Sequence, residues 1–274
     1  MRKFFYFCFS LNTLWAYPEF EKSMLAEDSL HCLNKLDLIT LKRIYDQNNY
    51  EIVKQFEKPR IPKIIHQIWL GPPMPEKFKR LTDSWKKYHP DWTYILWTEK
   101  EADALFMINK ELYQNTKNWA MKADILRLEL LYQFGGLYVD TDFECLKSFD
   151  ILHQSHDFYC GLSSIGVINN ALIGSCPKHP IIEMCIQKLK ARNPHAKGDP
   201  AVCTGPHFMQ KILLKYLKVC PENNICIYPS SFFYPFPYMT DSSCRGTKVA
   251  SDFVHSFIKE ESFGVHYWAA SWLE

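Results

Sequence analysis

Two aspartates one residue apart, Asp140 and Asp142, close the segment Leu137-Tyr138-Val139-Asp140-Thr141-Asp142 and carry the strongest chemical signal in this 274-residue chain. If the segment is a strand, alternate side chains share a face, so both carboxylates point one way while Val139 and Thr141 point the other. Like charges held so closely repel unless a cation lies beside them, and hard carboxylate oxygens suit Mg2+ or Mn2+ rather than zinc. The carboxyl ends of strands are also where open α/β sheets bind ligands. An isolated Asp-x-Asp is commonly a solvated turn, so the neighbours decide. Asp124 and Arg127 lie three residues apart among Ala123, Leu126, Leu128, Leu130 and Leu131, a spacing that puts them on one helix face. That pair suits a plain helix ion pair equally well. The Gly135-Gly136 that follows folds the helix back toward the strand, which brings both polar groups to the mouth holding the carboxylates.

These residues need a sheet to position them, and the pattern around them supplies one. Two prolines, Pro59 and Pro62, deny helix and lead into an apolar run over residues 63–70, suited to a buried strand and stopped by Gly71-Pro72-Pro73. A helix is expected over residues 83–89, a second strand over 92–97, a long helix over 118–134 and a third strand over 137–142. Beyond lie a strand over 167–174, helices over 180–190 and 208–217, and a Pro- and aromatic-rich surface loop over 228–238. Strands alternating with helices predict an α/β fold with helices on the faces of its sheet. Before residue 59, a stretch without Pro or Gly places Leu33, Leu36, Leu41 and Ile44 near helical spacing, so residues 18–58 read as a small helical appendage to a catalytic domain over 59–274.

Composition narrows the function. Apolar residues at 47% and charged residues at 23% describe an ordinary globular chain able to fill a core. A formal charge of +2 from dispersed Lys and Arg argues against nucleic acid as a partner, since that binding rests on clustered cations. Ten cysteines show no Cys-x-x-Cys pair and no zinc-like Cys/His spacing; they read as small buried hydrophobes rather than a disulfide framework. Met1-Arg2-Lys3 is basic, residues 4–15 are mostly apolar, and Ala16 is small. Residues 1–17 therefore read as a signal peptide or weak membrane anchor, pointing to the secretory pathway, with a buried first helix as the other reading.

The run Lys122-Ala123-Asp124-Ile125-Leu126-Arg127, then Gly135-Gly136-Leu137-Tyr138-Val139-Asp140-Thr141-Asp142, resembles the sugar-binding region of glycosyltransferase family 32, which includes yeast-type α-mannosyltransferases. The clostridial glucosylating toxins are similar there. Residues 61–71, reading Ile-Pro-Lys-Ile-Ile-His-Gln-Ile-Trp-Leu-Gly, are similar to the family's opening strand, and residues 266–272, His-Tyr-Trp-Ala-Ala-Ser-Trp, to its closing element. The resemblance implies a GT-A-type, Rossmann-like fold with a central mixed sheet flanked by helices. It implies a nucleotide-sugar donor, GDP-mannose or a UDP-hexose, and a glycan, lipid or protein acceptor. By the resemblance Asp140 contacts the donor's ribose or sugar, Asp142 coordinates a Mn2+ or Mg2+ ion on the diphosphate, and Asp124 and Arg127 hold the transferring sugar. Trp69 is then a stacking partner for the base. His266, Ser271 and Trp272 complete the metal and phosphate shell, Asn169 or Asn170 lies near the donor sugar, and Thr204-Gly205-Pro206 lies near the acceptor. His66 reads as a structural histidine rather than a base. The implied transfer is retaining, with mannose favoured.

Two other classes compete. Phosphatases of the haloacid-dehalogenase type also carry Asp-x-Asp after an apolar strand, but they want Thr or Val where Glu144 stands. A catalytically silent carbohydrate-binding protein would use the aromatics without needing the metal motif.

Overall fold

The computed structural model describes residues 17–24, 33–191, 198–220, 224–238 and 250–269. Along them run α1 (Lys35–Asn48), β1 (Ile64–Ile68), α2 (Glu76–Tyr88), β2 (Thr93–Trp97), α3 (Glu99–Ala104), α4 (Lys110–Asn115) and α5 (Trp119–Phe134). There follow β3 (Gly136–Val139), β4 (Phe143–Cys145), α6 (Asp150–Ser155), β5 (Phe158–Leu162), β6 (Ile168–Ser175) and α7 (Pro180–Lys190). The last elements are α8 (Pro200–Cys203), α9 (Pro206–Val219), β7 (Ile225–Tyr228), α10 (Ser230–Phe233), α11 (Ser251–His255) and β8 (Gly264–His266).

Six strands form one mixed sheet in the order β2-β1-β3-β6-β5-β7, and β4 and β8 form a separate antiparallel pair. β1 runs parallel to both β2 and β3, while β6 runs antiparallel to β3 and β5. The register of the small pair sets His266 opposite Phe143, one residue past Asp142. Chain ends of the sheet and of this ribbon therefore meet beside the aspartates.

The long helix is specified from both ends. The Asn118 side chain accepts from the Met121 amide at the start of α5. At its end Gly135 and Gly136 take φ values of 63° and 94°, where a side chain is strained, and a Cβ on Gly136 would sit 2.6 Å from the Ile64 carbonyl oxygen. The glycine pair thus reverses the chain and lets β3 lie close against β1. All residues of α5 from Asp124 to Leu131 are buried, charged ones included. A helix so enclosed delivers Asp124 and Arg127 into the interior instead of to solvent.

Several expectations need correction. The third strand ends at Val139, so Asp140 and Asp142 lie beyond it and do not share a strand face. The helix expected over 83–89 begins at Glu76, directly after Pro75. The aromatic stretch 228–238 is no surface loop: Phe232, Phe233, Tyr234 and Phe236 are completely buried, with their rings interleaved. Burial of four aromatics outweighs the loop signal of the neighbouring prolines. In α1 the buried face is Thr40, Leu41, Ile44 and Tyr45, whereas Leu36 is 61% exposed. The segment read as an appendage packs against β7, where Tyr45 meets Tyr228 and Phe232 edge-on and its hydroxyl donates to the Pro18 carbonyl at 2.6 Å. The seven described cysteines are free thiols, and Cys145, Cys160, Cys185 and Cys226 are buried. Among the described residues no helix is long and apolar enough to cross a membrane. The expected signal or anchor segment lies outside the described residues up to Ala16.

Candidate active site

The Asp140 amide donates to the Ala171 carbonyl at 2.8 Å, extending the β3–β6 ladder one residue past Val139. The chain then turns at once, with the Phe143 amide donating back to the Asp140 carbonyl at 3.2 Å. Thr141 and Asp142 form the tip of that turn. Asp142 is buried and held on every side: His266 Nε2 lies 3.0 Å from Oδ1, the Ala269 amide donates to Oδ2 at 2.7 Å, and the Tyr267 amide donates to its carbonyl at 3.0 Å. Trp268 supplies the bend that aims the Ala269 amide, at a φ of 54° that is uncommon for a bulky residue. Its indole is pinned by a 2.9 Å hydrogen bond to the Phe236 carbonyl and packs against His266 at 4.2 Å.

Asp140 belongs to a second network. The Tyr138 hydroxyl donates to Asp140 Oδ1 at 2.6 Å, and Arg127 Nη1 lies 3.4 Å from the same oxygen. Arg127 also donates to the Asn170 carbonyl at 2.6 Å, pairs with Asp124 Oδ1 at 3.1 Å, and lies over the Tyr138 ring at 4.4 Å. Asp124 accepts from Asn170 Nδ2 and from the Thr204 hydroxyl, each at 2.8 Å. The electrostatics differ between the three carboxylates. Burial pushes Asp124 and Asp140 up against the opposing Arg127, and the neighbouring Asp142 charge raises Asp140 further. Burial would raise Asp142 too, but His266 and the Ala269 amide outweigh it and hold this carboxyl below its ordinary value.

Both networks open on a cavity of about 710 Å3. It is lined by the polar Asp124, Arg127, Asp140, Asp142, Asn169, Asn170 and His266 and by the apolar Trp69, Phe78, Trp119 and the prolines 72, 73 and 75. A mostly apolar lining with a few polar groups is the usual make-up of a small-molecule site. Trp69 donates to the Pro72 carbonyl at 2.6 Å, packs on Phe78 and lines the cavity. Asn169 uses its Oδ1 to accept from the Ala171 amide at 2.9 Å, and Asn170 faces Asp124. Ser271 and Trp272 lie outside the described residues. His66 is away from the cavity: Nδ1 accepts from Trp97 and Nε2 meets the Gly135 carbonyl at 2.9 Å, with burial pushing it down to about 4.

A divalent cation fits the donor set. Asp140, Asp142 and His266 each offer a ligand atom, all within 4.8 Å of one another, and His266 Nδ1 is buried with no hydrogen-bond partner. Two carboxylates and an imidazole suit Mn2+ well. Sequence reasoning missed Tyr138 and the backbone amide of Ala269. The first was visible in principle, since residue 138 stands two before Asp140 where the ladder runs one residue past β3; the second has no side-chain signature.

Residues 75–159 match the family described as "Glycosyltransferase sugar-binding region containing DXD motif", a stretch that contains Asp124, Arg127, Asp140 and Asp142. The chain is 28% identical over 206 residues to inositol phosphoceramide mannosyltransferase 1 of Schizosaccharomyces pombe, an alignment covering 70% of this chain and 64% of that protein. It is 31% identical over 192 residues to mannosyl phosphorylinositol ceramide synthase CSH1 of Saccharomyces cerevisiae, covering 66% and 50% respectively. The chain therefore spans less than two thirds of the length of these curated relatives. Among solved structures the PaToxG glycosyltransferase superposes with a TM-score of 0.52 at 20% identity, over 67% of this chain and 78% of that one. The likeness shows the GT-A-type α/β fold, and the mixed sheet flanked by helices agrees with it.

Proposed function

We propose, for a chain that belongs to the glycosyltransferases with a DXD-containing sugar-binding region, that it transfers a hexose from a nucleotide-sugar to an acceptor hydroxyl with the help of a divalent metal. The observation that carries this reading is the convergence of Asp140, Asp142 and His266 on one side of a cavity large enough for a small-molecule ligand. Asp142, kept ionised by its partners, and His266 would hold Mn2+ or Mg2+, with Asp140 facing the same point. A bound divalent ion would supply Lewis-acid stabilisation of the departing diphosphate. Arg127 is rigidly placed by Asp124, Asn170 and Tyr138 and would orient the transferring sugar together with Asp124. Trp69 and the neighbouring prolines would receive the base.

Retention of anomeric configuration is part of the proposal. Asp124 has both oxygens engaged, and Asp140 Oδ1 is taken by Tyr138 and Arg127. Asp124 therefore offers no unengaged oxygen for a covalent sugar adduct, and the remaining Asp140 oxygen is assigned to the metal in this reading, which supports departure and attack on one face. Relatives named as a mannosyltransferase and a mannosyl phosphorylinositol ceramide synthase favour mannose, hence GDP-mannose, over glucose or galactose from UDP donors, and their names favour a lipid headgroup among glycan, lipid and protein acceptors. Thermal-shift screening of GDP-mannose, UDP-glucose and UDP-galactose with Mn2+, followed by transfer of labelled sugar, tests the reading. A stabilising donor with sugar transfer is expected. Phosphate release would instead mark a phosphatase, and stabilisation by sugars without turnover a binding protein.

A further inference from the structure

The turn that carries both aspartates is held from behind by a residue that never reaches the cavity. Gln67 of β1 is completely buried and absent from the cavity wall, on the opposite side of the strand from His66. Its Nε2 donates to the Asp140 carbonyl at 3.1 Å. Its Oε1 accepts from the Tyr94 hydroxyl of β2 at 2.7 Å and lies 3.1 Å from the Thr82 hydroxyl of α2. The amide orientation follows from the partners, because a carbonyl can only accept and so must face the NH2 end. The same helix grips the turn's far side: Trp85 Nε1 donates to the Phe143 carbonyl at 2.9 Å, and the Cys145 amide donates to Ser84 Oγ at 2.9 Å.

From this geometry we infer that Gln67 is a positioning residue that sets the aim of the Asp140 and Asp142 carboxylates by fixing the backbone of their turn to β2 and α2. The inference rests on the metal-site reading above. Asp140 joins the sheet, the turn and the cavity, since its amide is tied to β6, its carbonyl to Gln67 and Phe143, and its carboxylate to Tyr138. Without Gln67 the Asp140 carbonyl keeps only the Phe143 amide, a bond within the turn itself, so the turn loses its tie to β2 and α2 at this point, and ligand geometry is sensitive to such supporting contacts. Gln67→Glu puts a carboxylate against the Asp140 carbonyl, and Gln67→Met keeps the volume while removing the donor.

Mn2+ binding to the purified protein without donor, read from the electron paramagnetic resonance of free ion, tests this apart from turnover. Both variants are expected to raise the Mn2+ dissociation constant about tenfold or more. Tyr94→Phe, which keeps the ring at a half-buried position and removes only the hydroxyl, is expected to raise it less but in the same direction. A wild-type Mn2+ constant in folded Gln67 variants that merely melt earlier would assign the residue a purely structural role and overturn the inference. If the wild-type protein itself fails to bind Mn2+, the metal-site reading falls, and this inference with it.

Discussion

Two buried polar regions lie on this sheet, and they are built on opposite rules. At the end of β3 the interior holds formal charges: Asp124, Arg127, Asp140 and Asp142 crowd together beside a cavity. Beneath β5 and β7 the buried polar groups are neutral. His156 Nε2 meets the Tyr228 hydroxyl at 2.7 Å, His153 Nδ1 meets the Ile61 carbonyl at 3.1 Å, and Trp92, Tyr159 and Phe233 close over them. Burial pushes His153 and His156 down to about 3, so both stay uncharged at neutral pH. An unpartnered buried nitrogen occurs in each region, Nδ1 of His266 in one and Nδ1 of His156 in the other. Such a nitrogen does not by itself mark a site. What separates the regions is three carboxylates gathered around a single guanidinium at an opening, an arrangement that is costly without a ligand.

The comparison can be broken most forcefully at Arg127. Arg127→Met leaves the buried Asp124 and the half-buried Asp140 without their counter-charge and is expected to cost about 3–5 kcal/mol in denaturant unfolding. A loss near zero would mean the charged region is far wetter than its burial indicates. Acid should act on the other region. His153 and His156 have folded values of about 3, below the unfolded value of about 6.5. Their contribution is therefore complete above about 6.5 and is lost as pH falls toward 3, because the unfolded chain takes up protons the folded one refuses. Melting at pH 5 is expected to show a deficit of roughly 1–2 kcal/mol for each, and His153→Gln should flatten that slope. The smallest expected effect sharpens the contrast: Tyr228→Phe removes the hydroxyl that serves His156 and the Tyr50 amide. It should cost about 1 kcal/mol of stability while leaving donor affinity unchanged.

How much of this was legible in the sequence depends on whether the signal was local. The helices starting at Trp119 and Pro180 announce themselves through an Asn cap, a Pro at the first turn and a glycine stop. The strand Ile64–Ile68 stands out as an apolar run between proline-marked boundaries. The strands Phe143–Cys145, Ile225–Tyr228 and Gly264–His266 have three or four residues, too few for any period to show. The site divides the same way. Asp124, Arg127, Asp140, Asp142 and His266 were chosen from sequence and the fold assembles all five, but the reason given for pairing the aspartates was wrong. They are gathered by a turn hydrogen bond from Phe143 to Asp140, not by alternation along a strand. The Gln67 support and the Ala269 amide depend on contacts spanning 73 and 127 residues, which no spacing rule reports.

The central claim is that Asp140, Asp142 and His266 bind a cation that in turn holds a nucleoside diphosphate. Calorimetric titration of GDP and UDP into the wild-type protein and the Asp142→Asn variant, with Mn2+ and again with chelator, tests it most directly. Binding of one nucleotide by the wild type in Mn2+, weakened at least about tenfold by chelator or by the amide, is the expected result. Equal affinity in all four conditions would contradict the account.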